Sequence, residues 1–516
     1  MLLFIFSVIN LSAQRFNQDL NNIQVTWQLI NNFYVDTINT GDLAQKTIKA
    51  MLEQLDPHSS YLTPDQVKIA NDRLGEKEES IGIEFQVIND TLFITGVNEN
   101  SSASIEDVRI GDRILSINNH QVSGLGLSAE EIVEKYRVEK GDIMNLIIER
   151  QGTPDNISKR LEGQSMKTSS IHSYYMIDKR IGYIKIENFS LYTGNDFKDV
   201  LKTLKKSGMK SLILDLRDNT GGYVSAAISV LDQFLSKGQT MIYTEGAASP
   251  RHNFTASSKG GWQKGGLVVL INEKTASASE VVAGSIQDWD RGVIVGRRSY
   301  GKGLVQRPFS LTDGSQVRLT VSRYYTPSGR LIQKDYSNGV TEYRQELSDR
   351  SSNGELLNGN NIQFDEELKY RTLLNKRVVY GGGGIMPDLY IPIEAPELPP
   401  HYREIIDNKL LQKMTLNYIS LNFEELQSSL NSFDDLMDET EHTIQFVNNI
   451  LDVVENGKDN SEKDKFRDLL NSYFKATLAK GFYNQSDYHK FINQSQDVFV
   501  KAVEIIKDEK IADLLY

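Results

Sequence analysis

Apolar residues recur at three- and four-residue steps through Leu20, Ile23, Trp27, Ile30 and Phe33, and again through Leu43, Ile48, Met51 and Leu55. That spacing predicts amphipathic helices, and 14–77 reads as a helical N-terminal segment that Pro57 and Pro64 interrupt. From 78 to 163 short apolar runs alternate with turns. Ile81, Gly82, Ile83, Glu84 and Phe85 open a strand, 91–97 reads as its hairpin partner, and a helix is expected over 129–136. From 164 to 395 strand-like runs at 182–186, 211–217 and 267–271 are each followed by a helical stretch. Such alternation predicts an α/β sheet, and functional groups gather beyond the carboxyl ends of its strands. A Pro-rich stretch at 395–400 then leads into 396–516, where 421–454 and 465–478 carry heptad-like spacing with many acids. The expected class is multidomain α+β: an α/β core with a small β-rich domain before it, a helical N-terminal segment and a helical C-terminal domain.

Composition changes this picture little. The chain has 516 residues, 39% hydrophobic and 24% charged, which is ordinary for globular protein. Its formal net charge of −12 argues against a general nucleic-acid or anionic-membrane surface. With no cysteine there is neither a disulfide framework nor thiol chemistry. The seven histidines show no metal-ligand spacing, so no metal site is expected. Met1 to Ile9 is apolar and too short to span a bilayer. Followed by Asn10-Leu11-Ser12-Ala13-Gln14, it reads as the end of a secretory signal, 1–13, cleaved after Ala13. No basic region precedes it, so the start is expected to be truncated. Export to the periplasm or cell envelope is the expected localisation.

Chemistry concentrates between 266 and 306. After the apolar run 267–271, Ser277 and Glu280 form a capping-box pattern at the start of a helix. A hydroxyl there faces unpaired backbone N–H groups and the positive end of the helix dipole, a place that could hold an oxyanion. The plain alternative is that Ser277 only caps the helix. Lys302 then stands between Gly301 and Gly303, after the β-like run 293–296. Glycines leave its ammonium without bulky cover, and a buried lysine can serve as a general base. Two imitations fail. Residues 296–302 fit seven positions of a phosphate-binding loop, but the eighth is Gly303 where a hydroxyl is needed. Ser299 with Lys302 mimics an SxxK motif, yet the companion Lys274-Thr275-Ala276 precedes it instead of following.

Ser277-Ala278-Ser279-Glu280, with Tyr300-Gly301-Lys302-Gly303 and Gln306, resembles the C-terminal processing (tail-specific) serine proteases. The resemblance implies that Ser277 is the nucleophile, Lys302 its general base and Gln306 the group that orients the lysine. Asp218-Asn219-Thr220-Gly221-Gly222 resembles a second signature of that family. It implies an oxyanion hole made by the Ala278 N–H and a glycine N–H from Gly221 or Gly222. Leu55-Asp56-Pro57-His58-Ser59 matches a phrase found before the family's PDZ domain. His58 is tempting as a catalytic group, though a histidine in a Pro-containing turn is commonly structural. The 78–163 domain resembles a PDZ domain in the circular order of bacterial proteases, inserted before the protease core. By resemblance, Ile81 to Phe85 form its carboxylate-binding loop. Valine stands at 138 where the family usually has glycine. Four glycines at 381–384 read as a tight backbone crossing.

The expected function is an exported serine endopeptidase that cleaves polypeptides recognised by their apolar C-terminal tails. Nothing in the sequence implies a metal or organic cofactor; a homo-oligomer through the helical segments is an expected assembly. The alternative is a catalytically silent PDZ scaffold or ligand-binding relative with the same fold.

Overall fold

The strand–helix alternation in the middle of the chain resolves into one six-stranded sheet. A computed structural model describes residues 2–74, 77–167, 169–393, 400–455 and 463–516; the Pro-rich stretch 395–399 lies outside them. The strand order is Ser173–Met176, Ile181–Lys185, Ser211–Asp215, Gly266–Ile271, Val293–Gly296 and Leu389–Tyr390. The first pair is antiparallel and the rest are parallel. Leu267, Val268, Val269, Leu270 and Ile271 are all fully buried. A parallel strand covered on both faces is apolar throughout, which is why this run shows no alternation. Burying each such side chain is worth about 1.5–3 kcal/mol.

The two faces are covered from different parts of the chain. Helices Thr193–Lys206, Val224–Leu231 and Ala278–Asp288 pack on Leu212, Leu214, Leu267 and Val269. In the first of them Phe197, Val200, Leu201 and Leu204 form the buried stripe. The intervening positions, Tyr183, Ile213, Val268 and Val293, meet Val498, Phe499, Ala502 and Ile505 of helix Asp497–Lys507 and Leu515 of helix Ile511–Leu515. The helical C-terminal region therefore supplies the second layer of the core sheet.

Gln316–Tyr325 is the hub of a second sheet. It pairs with Leu304–Ser310, with Thr240–Gly246 and with Ser60–Leu62. Residues 14–77 are thus not helical throughout. Between helices Thr40–Glu53 and Pro64–Leu74 the two prolines free a short segment, and Ser60 pairs with Arg318 of the second sheet. Helix Leu2–Phe33 has the predicted stripe, but the stripe is uncovered: Leu20, Ile23 and Phe33 are 55%, 52% and 77% exposed.

Residues 78–163 form a sheet ordered Ile83–Ile88, Thr91–Val97, Arg113–Ile117, Ile143–Glu149 and Ile157–Glu162, so Ile83–Ile88 is an edge strand. Helix Ala129–Lys135 begins with a capping box between Ser128 and Glu131. Val138 is buried, and the chain makes room for it at Gly163, where a Cβ would come within 2.2 Å of Val138 Cγ1. The C-terminal helices clasp this domain from behind. Leu416, Ile419, Phe474 and Leu478 share one core with Ile88, Phe93 and Ile110, and Lys480 pairs with Glu84 at 3.0 Å.

Candidate active site

Three parallel strands deliver their following turns to one place. Asp215 leads to the turn 218–222, Ile271 to 272–277, and Gly296 to 299–302. The first two turns are stitched together: Thr275 Oγ1 donates to the Leu216 carbonyl at 2.8 Å, and the Ala276 N–H donates to the Asn219 carbonyl at 3.0 Å. The second and third are joined where the Tyr300 N–H donates to the Thr275 carbonyl at 2.9 Å. The glycine run 381–384 crosses tightly over the third turn, with Gly384 so close that a Cβ would lie 2.5 Å from the Ser299 carbonyl oxygen.

Ser277 sits immediately before helix Ala278–Asp288 with φ 57° and ψ −115°. A non-glycine residue at positive φ costs about 1–3 kcal/mol. This one is held by its surroundings, at a strand–turn–helix junction beyond the carboxyl end of the sheet. Next to it Ala278 occupies the first helical position, whose N–H has no intrahelical acceptor.

The Glu280 carboxylate is fully buried and fastens the serine turn to the lysine turn. One oxygen accepts the N–H groups of Ser277 and Lys302, each at 2.8 Å. The other accepts the Gly301 N–H at 2.7 Å and the Ser299 hydroxyl at 2.5 Å. Burial pushes its pKa above the ordinary glutamate value, against the pull of these four donors. The buried Tyr324 hydroxyl repeats the connection, donating to the Ser277 carbonyl at 3.1 Å and to that of Lys302. Sequence spacing marked Glu280 only as a helix cap and left Tyr324 without a role.

Lys302 donates to Gln306 Oε1 at 3.1 Å. Burial lowers the pKa of its amine; Glu280 and Asp56 pull it back upward. Gln306 Nε2 is buried and has no hydrogen-bond partner among the described residues. No hydrogen bond joins the Ser277 hydroxyl to the Lys302 amine; the structure brings the two backbones together and turns the amine toward Gln306.

Of the two glycines, Gly221 touches the serine: a Cβ there would meet Ser277 Cβ at 2.8 Å and the Ala278 nitrogen at 3.1 Å. Its own N–H donates to Asn219 Oδ1 at 2.8 Å. Gly222 instead packs on Phe189, whose carbonyl a Cβ would approach to 2.2 Å. His58 belongs to the neighbourhood but has another partner. Its Nε2 lies 2.8 Å from the Tyr343 hydroxyl, and burial, aided by the charge of Lys302, takes its pKa down to about 3.

Away from this centre, Ile81, Ile83 and Phe85 line an apolar cavity in the 78–163 domain, whereas Glu84 points to the opposite face and its ion pair with Lys480. Gly82 has φ 86°, and a Cβ there would come within 2.1 Å of the Ser101 side chain. Its N–H donates to Ser80 Oγ at 2.9 Å. No described helix is long and apolar enough to cross a membrane.

Comparison with known proteins defines the chain as a serine protease that carries a PDZ domain. Residues 180–342 match peptidase family S41, and 80–161 match the PDZ domain. The chain is 33% identical over 304 residues to a carboxy-terminal-processing protease of Bartonella bacilliformis, covering 58% of this chain and 69% of the relative. It is 30% identical over 323 residues to the carboxy-terminal processing protease CtpB of Bacillus subtilis, covering 61% of this chain and 66% of the relative. The chain thus spans about two thirds of the length of these relatives. A solved photosystem II D1 C-terminal processing protease is 25% identical over 59% of this chain and 88% of its own, with a TM-score of 0.35. The chain belongs to peptidase family S41.

Proposed function

We propose that Ser277 is the nucleophile of this protease and Lys302 its general base, in an exported enzyme that selects polypeptides by their C-terminal tails. The observation that carries the reading is the shared anchor: a single Glu280 oxygen holds the Ser277 and Lys302 N–H groups. Burial lowers the Lys302 pKa, which moves the amine toward the neutral form that can accept the serine proton. Catalytic hydrogen bonds are commonly loose before substrate arrives, so the amine reaches the hydroxyl by turning from Gln306. Ser277 Oγ then attacks the scissile carbonyl, and the Ala278 N–H and a glycine N–H of the 221–222 turn hold the oxyanion. The Lys302 ammonium returns its proton to the nitrogen as the C–N bond breaks and the amine leaves, and water, giving its proton to the lysine, releases the acyl group.

Tail selection rests on the edge strand Ile83–Ile88, which has an open side for strand addition, and on the loop from Ile81 to Phe85 for the terminal carboxylate. Export rests on the apolar residues before Ala13. The uncovered stripe at Leu20, Ile23 and Phe33 supports self-association. The scaffold reading loses ground because Ser277, Lys302 and Gln306 are all present in the sequence.

The test is a fluorophosphonate label together with digestion of a disordered protein ending in an apolar tail. Labelling at Ser277 and cleavage only of the free-acid form support the proposal. Cleavage that survives Ser277→Ala overturns the assignment of the nucleophile.

A further inference from the structure

The apolar cavity of the PDZ domain, about 190 Å³, lies between the edge strand Ile83–Ile88 and the helix Ala129–Lys135. Its wall includes Ile83, Ile117, Ile132 and Met144 from within the domain. It also includes Ile69, which does not belong to the domain. Ile69 sits on helix Pro64–Leu74, before the 80–161 stretch that matches a PDZ domain. That helix is fixed at two points. Lys68, the preceding residue, pairs with Glu139 at 2.9 Å, and the adjoining strand Ser60–Leu62 is paired into the protease sheet. Ile69 is therefore held against the groove by a part of the chain that the protease core anchors.

We infer that Ile69 sets which terminal side chain the tail can carry, so that specificity is decided partly by a residue outside the PDZ fold. The inference rests on the proposal that this groove binds C-terminal tails. A bound tail runs beside Ile83–Ile88 and places its last side chain in the cavity. The opposite wall is made of buried residues, with Ile132 at 2% and Leu146 at 0% exposure, and cannot retreat. Ile69 is half-buried, so its size can change without opening the domain core. Glu79, Ser80 and Arg137 also border the cavity, but the wall around Ile69, Ile83, Ile132 and Leu146 is apolar, so selection against it is by volume. Apolar pockets discriminate by roughly 10–200-fold per methylene-sized misfit.

The experiment uses the full chain carrying Ser277→Ala, so that peptides bind without being cut. Two fluorescent peptides differ only in their last residue, leucine or tryptophan, and each is also made as the C-terminal amide. Ile69→Ala is expected to shift the affinity ratio about tenfold toward tryptophan, and Ile69→Phe to shift it toward leucine, with both variants melting as the parent does. A ratio unchanged in both variants, or moved in the same direction by both, overturns the role of Ile69. Amides that bind as well as acids, or a parent that binds neither acid, overturn tail recognition itself. The two failures are thus distinguishable.

Discussion

The N–H groups of Ser277 and Lys302 end on the same oxygen of Glu280, 2.8 Å from it in each case. Residues far apart in sequence are thereby set at a fixed separation by a side chain that touches neither hydroxyl nor amine. Glu280→Gln keeps one acceptor oxygen but turns an NH₂ group against two of the four donors. We expect kcat to fall at least about tenfold with KM little changed. The melting temperature should drop in line with roughly 1–3 kcal/mol for each buried group left unsatisfied. A variant that melts early yet keeps its kcat would limit Glu280 to a structural role.

Ser277→Ala should abolish hydrolysis, while Ser279→Ala should retain a substantial part. Ser279 is fully buried, with its hydroxyl committed to the Asn219 carbonyl at 3.1 Å. Ser277→Gly is the more informative variant. Its φ of 57° is one that glycine adopts without cost, so this dead enzyme should melt higher, by about 1–2 kcal/mol of relieved strain. Calorimetry beside a peptidase assay checks both halves.

Activity should rise with pH through a group that titrates below an ordinary lysine, because burial lowers the Lys302 pKa. The linkage has a definite sign. Between the lowered folded value and the usual ~10.4 the unfolded chain binds more protons, so stability climbs with pH there and is lost as pH falls through the folded value. Lys302→Met should therefore be inactive and more stable near neutrality. Gln306→Glu puts a negative charge beside the amine, raises its pKa and should move the activity profile to higher pH. Lys302→Arg should be inactive at every pH, since guanidinium keeps its proton. His58, with a pKa near 3 and its ring bonded to Tyr343, is too weak a base to replace it. A pH–rate series on the purified variants decides the matter.

The exposed stripe on helix Leu2–Phe33 gives an assembly prediction. Chain lacking 1–13 should run larger than a monomer in light scattering, and Leu20→Glu with Ile23→Glu should return it to monomer size. Equal mass for both would leave the stripe without a self-partner.

Ser277, Lys302 and Gln306 stood out in the sequence as candidates because each sits in a short run whose residue types and offsets are themselves the signal. Most strands of the 78–163 domain were readable for a similar reason, since alternation and turns repeat over short distances, but the edge strand Ile157–Glu162, mostly polar, was not. Glu280 was readable only in part. A helix-cap spacing reports the Ser277 contact, three residues away, and nothing about Lys302. The contacts of Tyr324 and Ile69 gave no sign, because neither pattern nor composition says which distant turn a hydroxyl meets or which groove a helix borders. The final helices were seen as helices. Their apolar spacing would be the same whether the partner was another helix or the sheet face at Val268 and Val293, and only the fold distinguishes these.

That last arrangement has a consequence for how the enzyme comes into being. Residues 497–515 leave the ribosome long after the strands they cover. Until they arrive, the face formed by Tyr183, Ile213, Val268 and Val293 is bare, and the sheet that aims Ser277 has only one of its layers. The PDZ domain also waits on late residues, because Ile88, Phe93 and Ile110 share their core with Phe474 and Leu478. The sheet that carries the serine turn is therefore completed last, by the very end of the chain.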